Sequence, residues 1–456
     1  MKYVTQSAMR KKEQHKQSLA EIKMSHLFCK HLYKFLTHTG VLLIATIPLQ
    51  AQPLLTLEEV VQTVLKKNIA IKSARNEQKI VAQKYHIGNA GFLPTLDATL
   101  TSGAKHQTWP QALDSPTTLS TGLSLTCNVF SGMQSILTYR HLGKLSQIGQ
   151  LKTQQTTTAK VAEAIKGYYS LVLAQQKKHI HQSSLVISKE ILQLAKAKYE
   201  VGQCSKLDYL DAQVQHHEAQ AKLLAQEEAL TVAKLALHSL LGKDGPEEFA
   251  IVEAIPLPQK LTWEGLVEAA TVANTAILTA QKHCEDAAIA IRLQQAKLWP
   301  RVDFSLDYTL GSRYQEQAWN ATPRSWNYGI NITFNLFHAF QHTTAIQEAH
   351  IKADNAQLAL AAQHVQLEAA LKQQFLHYTQ QLQRHALVQQ HVQVSQERAT
   401  VALEQYRLGS ITLLALDKVR QNTQETKLKS LQAIYEAKIA ETALQQLTGT
   451  LLDSYK

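Results

Sequence analysis

The stretch Val302-Asp303-Phe304-Ser305-Leu306-Asp307-Tyr308-Thr309-Leu310 alternates apolar and polar residues without a break. In an extended chain successive side chains point to opposite sides. Val302, Phe304, Leu306, Tyr308 and Leu310 therefore share one face, and Asp303, Ser305, Asp307 and Thr309 share the other. A second run repeats the pattern, with Trp326, Tyr328, Ile330, Ile332, Phe334 and Leu336 against Asn327, Asn331, Thr333 and Asn335. The alternation predicts strands over about 301–311 and 325–337. Weaker versions, Leu96-Asp97-Ala98-Thr99-Leu100-Thr101 and Leu123 to Val129, predict two more over about 95–102 and 120–130.

A soluble sheet with one wet face would alternate in the same way. Two features favour a membrane. The runs approach the roughly 9 to 11 residues that cross a bilayer as tilted strands, and the aromatics Phe92, Trp299, Tyr308 and Trp326 lie close to their ends, as in an interfacial girdle. Four strands are too few to close around a lumen, since the smallest single-chain membrane barrels have about eight. Open strand edges do not persist in lipid, so the strands have to come from several chains.

The four strands come in two pairs because the chain is written twice, about 206 residues apart. Thr56 answers Thr262, Asn68 answers Asn274, Pro94 answers Pro300, Phe130 answers Phe337, Tyr199 answers Tyr406, Gly202 answers Gly409 and Gly242 answers Gly449. Such a long-period match indicates duplication. The copies span 52–242 and 262–450, joined by a linker at 243–261 that carries Pro246, Pro256 and Pro258, and followed by a tail at 451–456.

Between the strands the chain is rich in Ala, Gln, Leu, Lys and Glu and nearly free of Gly and Pro over 133–200 and 343–405. Such composition favours long helices. Each would run on the order of 100 Å at about 1.5 Å per residue. Apolar residues recur at three- and four-residue steps, as in Leu358, Ala361 and Val365 or Ile187, Ile191 and Leu194, which suits coiled-coil packing.

The chain has 456 residues and a formal charge of +11. Residues 1–51 hold eight Lys and Arg against two acids, so they carry +6 of that and the remainder is only mildly basic. The basic Lys30 to Lys34 segment, the apolar run Val41 to Leu49 and the small residue Ala51 read as a secretory signal cleaved near Ala51, with Met24 as an alternative start. Cys29 precedes the apolar run and cannot become a lipidated first residue. Cys127, Cys204 and Cys284 have neither metal-like nor disulfide-framework spacing. Among the 20 histidines, His338 and His342 form the clearest i, i+4 pair, too little for a metal site. No cofactor is expected. Neither a nucleophile elbow, a phosphate-binding loop nor a metalloprotease helix is present, so an enzyme is not expected. Nucleic-acid binding is not supported once the leader's charge is set aside.

Several segments together resemble one family. Tyr199-Glu200-Val201-Gly202-Gln203-Cys204-Ser205-Lys206-Leu207-Asp208-Tyr209-Leu210-Asp211-Ala212-Gln213 is similar to the Y-x-x-G-x-x-x-x-L-D-x-L-D-A-Q turn of TolC-like outer-membrane efflux proteins. Asn128-Val129-Phe130-Ser131-Gly132 and Asn335-Leu336-Phe337-His338-Ala339 resemble the P-L-F-D-G-G strand end without its Pro and Asp. Leu93-Pro94 and Trp299-Pro300 resemble the helix-to-strand junction. The resemblance implies a mainly helical homotrimer, with four strands per chain closing a 12-stranded β-barrel that continues as a long coiled-coil periplasmic barrel. It implies a passive, outer-membrane exit duct extending into the periplasm of a Gram-negative bacterium. The partners would be a periplasmic adaptor and an inner-membrane RND, ABC or MFS transporter, in an efflux pump or type I secretion system.

The resemblance also implies a periplasmic gate after the two turns. Asp208 and Asp211 match its acids, Tyr199 and Tyr406 match tyrosines that pin it, and Gly202 and Gly409 mark the adaptor-facing turns. In the second copy Ala415 stands at the first acidic position and Asp417 falls one residue from the second. Asp at these places also caps helices, a competing reading. The alternative function is a periplasmic coiled-coil adaptor or scaffold, which would not need the four strands.

Overall fold

The computed structural model describes residues 54–104, 117–242, 250–252, 254–315, 318–321 and 324–455. The leader at 1–51, with Met24, lies outside the described residues, as do linker residues 243–249 and 253.

The first copy runs β1 (Leu54–Leu55), α1 (Leu57–Lys67), α2 (Ile69–Lys84), β2 (Thr95–Ala104), β3 (Thr117–Ser131), α3 (Gln134–Glu200) and α4 (Lys206–Leu241). After β4 (Ala250–Ile251) the second repeats it as α5 (Trp263–Ala273), α6 (Thr275–Ala296), β5 (Arg301–Gln315), β6 (Ala318–Ala321), β7 (Ser325–Thr333), α7 (Gln341–Arg407) and α8 (Leu413–Thr448). A short 3-10 turn, Asp453–Tyr455, follows. The duplication extends to length: α3 and α7 have 67 residues each, and α4 and α8 have 36 each.

It extends to capping as well. Asn68 ends α1 and starts α2: its Oδ1 accepts from the backbone of Ala70 and Ile71, and its Nδ2 donates to Leu240 O at 3.0 Å. Asn274 does the same for Ala276 and Ile277 and reaches Leu447 O at 2.8 Å. One side chain thus satisfies the orphan donors of a new helix and ties it to the end of the long hairpin beside it. The two short helices can then continue end to end along α3, as α5 and α6 do beside α7 and α8.

Each copy has its own core. Val60, Val61, Val64 and Ile71 pack against Val161, Ile165, Tyr168, Val172, Leu237 and Leu241; Leu266, Ala270 and Ile277 pack against Leu371, Tyr378, Ala440 and Leu444. The linker is strapped to the second core at Gln259. Its N–H donates to the buried Glu441 at 3.1 Å, its carbonyl accepts from Tyr378 Oη, and Lys438 Nζ neutralises Glu441 at 2.6 Å. A buried charge held by an opposite charge and a backbone donor is costly to disturb. Among the described residues no helix is long and apolar enough to cross a membrane.

The strands form one antiparallel sheet in the order β2-β3-β5-β7, with β6 pairing the far end of β5. Register lines up like side chains over most of the sheet, with Thr121 the polar residue between Leu100 and Leu310. Leu96, Leu125, Leu306 and Tyr328 fall in one row, and Asp97, Ser124, Asp307 and Asn327 fall in the next. A slip of one residue would exchange the faces, so this pattern fixes the pairing. β7 ends at Thr333, opposite Arg301, the first residue of β5, so Phe334 to Phe337 leave the ladder where the expected strand ran on to 337. The backbone there has no partner left to pair with. The outer edges of β2 and β7 are unpaired among the described residues.

Candidate functional site

Two turns join the long helices, and they are built alike. Gly202 N–H donates to Tyr199 O at 3.0 Å and Gln203 N–H to Lys198 O at 2.7 Å; Gly409 N–H donates to Tyr406 O at 3.1 Å and Ser410 N–H to Gln405 O at 2.8 Å. These are the paired bonds of a helix end that closes through a left-handed residue. Gly202 and Gly409 have φ of 74° and 79°, and a Cβ at either would meet nothing within 4 Å. Glycine is therefore required by backbone conformation, and the space beside each turn stays open.

Beyond the turns the copies diverge. Tyr199 is 40% exposed and stacks on Tyr209, rings 5.7 Å apart and nearly parallel. Its counterpart Tyr406 is buried, in an apolar cluster with Ile191, Ala195, Ala212, Ala402, Leu413 and Leu416 that joins α3, α4, α7 and α8. Burial pushes its phenol above the ordinary range, and nearby Cys204 and Asp208 add to that. Its hydroxyl has no hydrogen-bond partner among the described residues. The link across the hairpins runs instead from Lys198, which donates to Tyr406 O and lies over the ring.

The expected acids sit in three different environments. Asp208 folds back on its own helix start. Its Oδ2 accepts from Ser205 N–H at 3.1 Å and Ser205 Oγ at 2.7 Å, while its N–H donates to Ser205 Oγ, a reciprocal cap. Asp211, one turn on, is exposed. Asp417 is buried, with Gln421 Nε2 at 2.7 Å and Arg420 Nη2 at 3.3 Å. Burial is the largest influence on its carboxyl and raises it above the usual range, helped by Glu218 and opposed by Arg420 and Lys222. Lys198 and Arg420 are the polar residues here that sequence reasoning passed over. Both are cations placed one or three residues from a residue of interest.

On the sheet, Ser124 Oγ donates to Asp307 Oδ1 at 2.5 Å and Asn128 Nδ2 to Asp303 Oδ1 at 2.9 Å, with Arg301 Nε 2.7 Å from the same carboxylate. The other face is bare: Leu96, Leu100, Tyr328, Ile330 and Ile332 are each about two-thirds exposed or more. The four aromatics lie at two levels. Phe92 meets Tyr139 edge-on, its ring centroid 6.5 Å away, and Trp299 lies against Gly132, where a Cβ would come within 2.5 Å of the indole's own Cβ. Tyr308 pairs across strands with Trp326, rings 4.4 Å apart. From Arg301 to Tyr308 is about 23 Å along the strand at 3.3 Å per residue, or about 18 Å of height at a strand tilt of about 40°, somewhat less than the roughly 25 Å of a lipid-facing band.

The rings of His338 and His342 lie 5.3 Å apart and tilted by 37°; no cluster of metal-binding side chains occurs among the described residues.

Residues 60–243 and 266–450 match the family model described as outer membrane efflux protein. The chain is 23% identical over 291 residues to Outer membrane protein TolC of Vibrio cholerae serotype O1, a match covering 62% of this chain and 64% of that one, so it spans just under two thirds of that relative's length. It is similar in structure to a membrane protein from Pseudomonas aeruginosa, with TM-score 0.75 and 17% identity over 86% of this chain and 90% of that one. It is likewise similar to the CmeC outer membrane channel of Campylobacter jejuni, with TM-score 0.73 and 15% identity over 87% of this chain and 86% of that one. At such identities these structures establish the shared fold.

Proposed function

Because the chain belongs to the outer membrane efflux protein family, an outer-membrane protein reaching into the periplasm, we propose that three copies form one channel, a passive exit duct gated at its periplasmic end. The observation that carries this reading is the sheet: four main strands, outer edges unpaired among the described residues, and one predominantly apolar face. Unpaired backbone groups each cost several kcal/mol in hydrocarbon, so β7 of one copy has to pair with β2 of the next until the ring closes. Three copies give a 12-stranded barrel with the row of Asp97 and Asp307 facing its lumen.

The helices support the same closure. Leu207, Leu210, Val214, Leu224 and Leu235 leave an exposed apolar stripe on α4, and Leu358, Val365, Leu387, Val394 and Val401 leave one on α7. Both suit coiled-coil contacts with a second copy. Phe92, Trp299, Tyr308 and Trp326 would mark the membrane interfaces. Residues 1–51 would be removed as a signal peptide.

Asp208, Asp211 and Asp417, with Tyr199 and Tyr406, would form the gate, and the turns at Gly202 and Gly409 would meet a periplasmic adaptor. An inner-membrane RND, ABC or MFS transporter would supply energy, in an efflux pump or type I secretion system; the duct itself performs no chemistry. A coiled-coil scaffold would leave the apolar sheet face unexplained.

The test is single-channel conductance of the purified mature protein in a planar bilayer, with oligomer mass measured in parallel. A trimer with small conductance that grows when Asp208 and Asp211 are replaced by Ala is expected. A water-soluble, non-conducting protein would overturn the duct, and a conducting trimer indifferent to both substitutions would remove those acids from the gate.

A further inference from the structure

Near the turns α3, α7 and α8 do not close on one another, and they leave a cavity of about 540 Å3. That is within the range of small-molecule sites, roughly 300 to 1,000 Å3. Ile187 and Ile191 of α3, Leu403 of α7 and Leu416 of α8 supply apolar wall. Arg420 and Lys427 of α8 supply cationic groups, and among the described residues no Asp or Glu lines the cavity.

Arg420 is only half satisfied. Its Nη2 is 3.3 Å from Asp417 Oδ1, whereas Nη1 is shielded from water and has no acceptor among the described residues. Asp417 meets only Nη2; its second oxygen accepts from Gln421 at 2.7 Å, and no acceptor lies within reach of Nη1 among the described residues. A guanidinium carries five donors in a fixed fork, and leaving part of that fork dry and unpaired is costly. What complements a half-paired guanidinium beside an apolar wall is an anionic head on an apolar tail.

We propose that this cavity binds an amphipathic carboxylate, its carboxylate held by Arg420 and Lys427 and its tail lying against Ile187, Ile191 and Leu403. The geometry favours a carboxylate over a simple anion because the walls away from the two cations include branched aliphatics. Ile191, Leu403 and Leu416 also belong to or pack on the cluster around Tyr406 that joins the two hairpins. An occupant therefore braces that junction, and binding raises thermal stability with the logarithm of ligand concentration once that exceeds Kd. The inference uses Asp417 only as the partner of Arg420 and does not depend on a gating role for that acid.

The probe is octanoate, titrated calorimetrically against full-length mature protein in a non-ionic amphipol, where neither free detergent nor polymer carboxylates compete, with octanol as the uncharged control. Saturable binding of one octanoate per chain, at least tenfold tighter than octanol, is expected. Arg420→Met alone would strand Asp417, so the informative variant is Asp417→Asn with Arg420→Met, which removes both charges; it should bind octanoate no better than octanol at unchanged oligomer mass and helicity. Leu403→Trp fills the cavity with Arg420 intact and should also abolish binding. Equal binding of octanoate and octanol to the unaltered protein, wild-type octanoate binding by the double variant, or wild-type binding by Leu403→Trp would each overturn the proposal.

Discussion

The ammonium of Lys198 donates to the backbone carbonyl of Tyr406 and lies 4.3 Å from the centroid of its ring, joining the end of α3 to the end of α7. One charge thus holds two hairpins that are otherwise held here mainly by apolar packing. A cation over an aromatic face contributes about 0.5–2 kcal/mol and a charged hydrogen bond about 1.5–3. Lys198→Met keeps the aliphatic stem and removes both. It should lower thermal stability by about 1–3 kcal/mol and raise resting conductance. The phenol of Tyr406 has no partner to lose, so Tyr406→Phe should be close to neutral in both measurements. The opposite ranking would show that the hydroxyl, not the lysine, closes the junction.

The second prediction concerns Asp417. Its folded carboxyl is raised by burial, so between the ordinary carboxylate range and that raised value the folded protein holds the proton more firmly than the unfolded chain. Stability must fall as pH rises through that window, beginning near pH 4, and level off above it. This is the reverse of an ordinary salt-bridged acid. Melting curves from pH 3.5 to 7 should show the decline in wild type, and the difference between wild type and Asp417→Asn should carry it. A difference that is flat with pH, or one of opposite sign, would mean that Arg420 outweighs burial.

The sheet gives a third. Asp97 and Asp307 share one row across the strands, and Asp303 lies on the same face with Arg301 beside it. A closed trimer would repeat that row three times around one lumen, and rings of carboxylates favour cations. Replacing Asp97 and Asp307 by Asn should therefore reduce the potassium-to-chloride permeability ratio several-fold, whereas single-channel conductance changes less. Asp303→Asn should do less, because its charge is already met by Arg301. An unchanged ratio in the double variant would place selectivity elsewhere.

Much of this was legible from residue order. Alternation alone fixes which side chains share a sheet face, because a strand has only two, and the duplicated Asn68 and Asn274 mark the same joint in both copies. The turns were legible too, since a left-handed helix end demands Gly202 and Gly409. The contact of Lys198 with Tyr406 was not, because it spans 208 positions and depends on how two hairpins lie together. Nor was the choice Asp208 makes in one chain: L-D-x-L-D is compatible with either a cap or a constriction, and the reciprocal bonds with Ser205 are decided by local geometry. The end of β7 at Thr333 was hidden for a similar reason, since alternation continues past the point where β5 stops offering a partner.

The start of α7 carries the last prediction. Gly132 and Met133 precede α3 with φ of 59° and 70°, and in the second copy Ala339 and Phe340 adopt 45° and 61°. The first copy places glycine at one of its two left-handed positions; the second has none. A left-handed conformation costs an L-residue with a side chain roughly 1–2 kcal/mol. Ala339→Gly removes that strain but loosens the unfolded chain, which returns part of the gain. Net stabilisation of about 0.5–1 kcal/mol is expected, read as a higher melting temperature. The converse change tests the same geometry harder. Gly132→Ala adds the strain and also drives a Cβ to 2.5 Å from Trp299 and 2.6 Å from the carbonyl of Ala296, so it should cost several times what Ala339→Gly gains. If Ala339→Gly proved destabilising and Gly132→Ala harmless, the two strand ends would not be the strained, closely packed joints that their backbone angles describe.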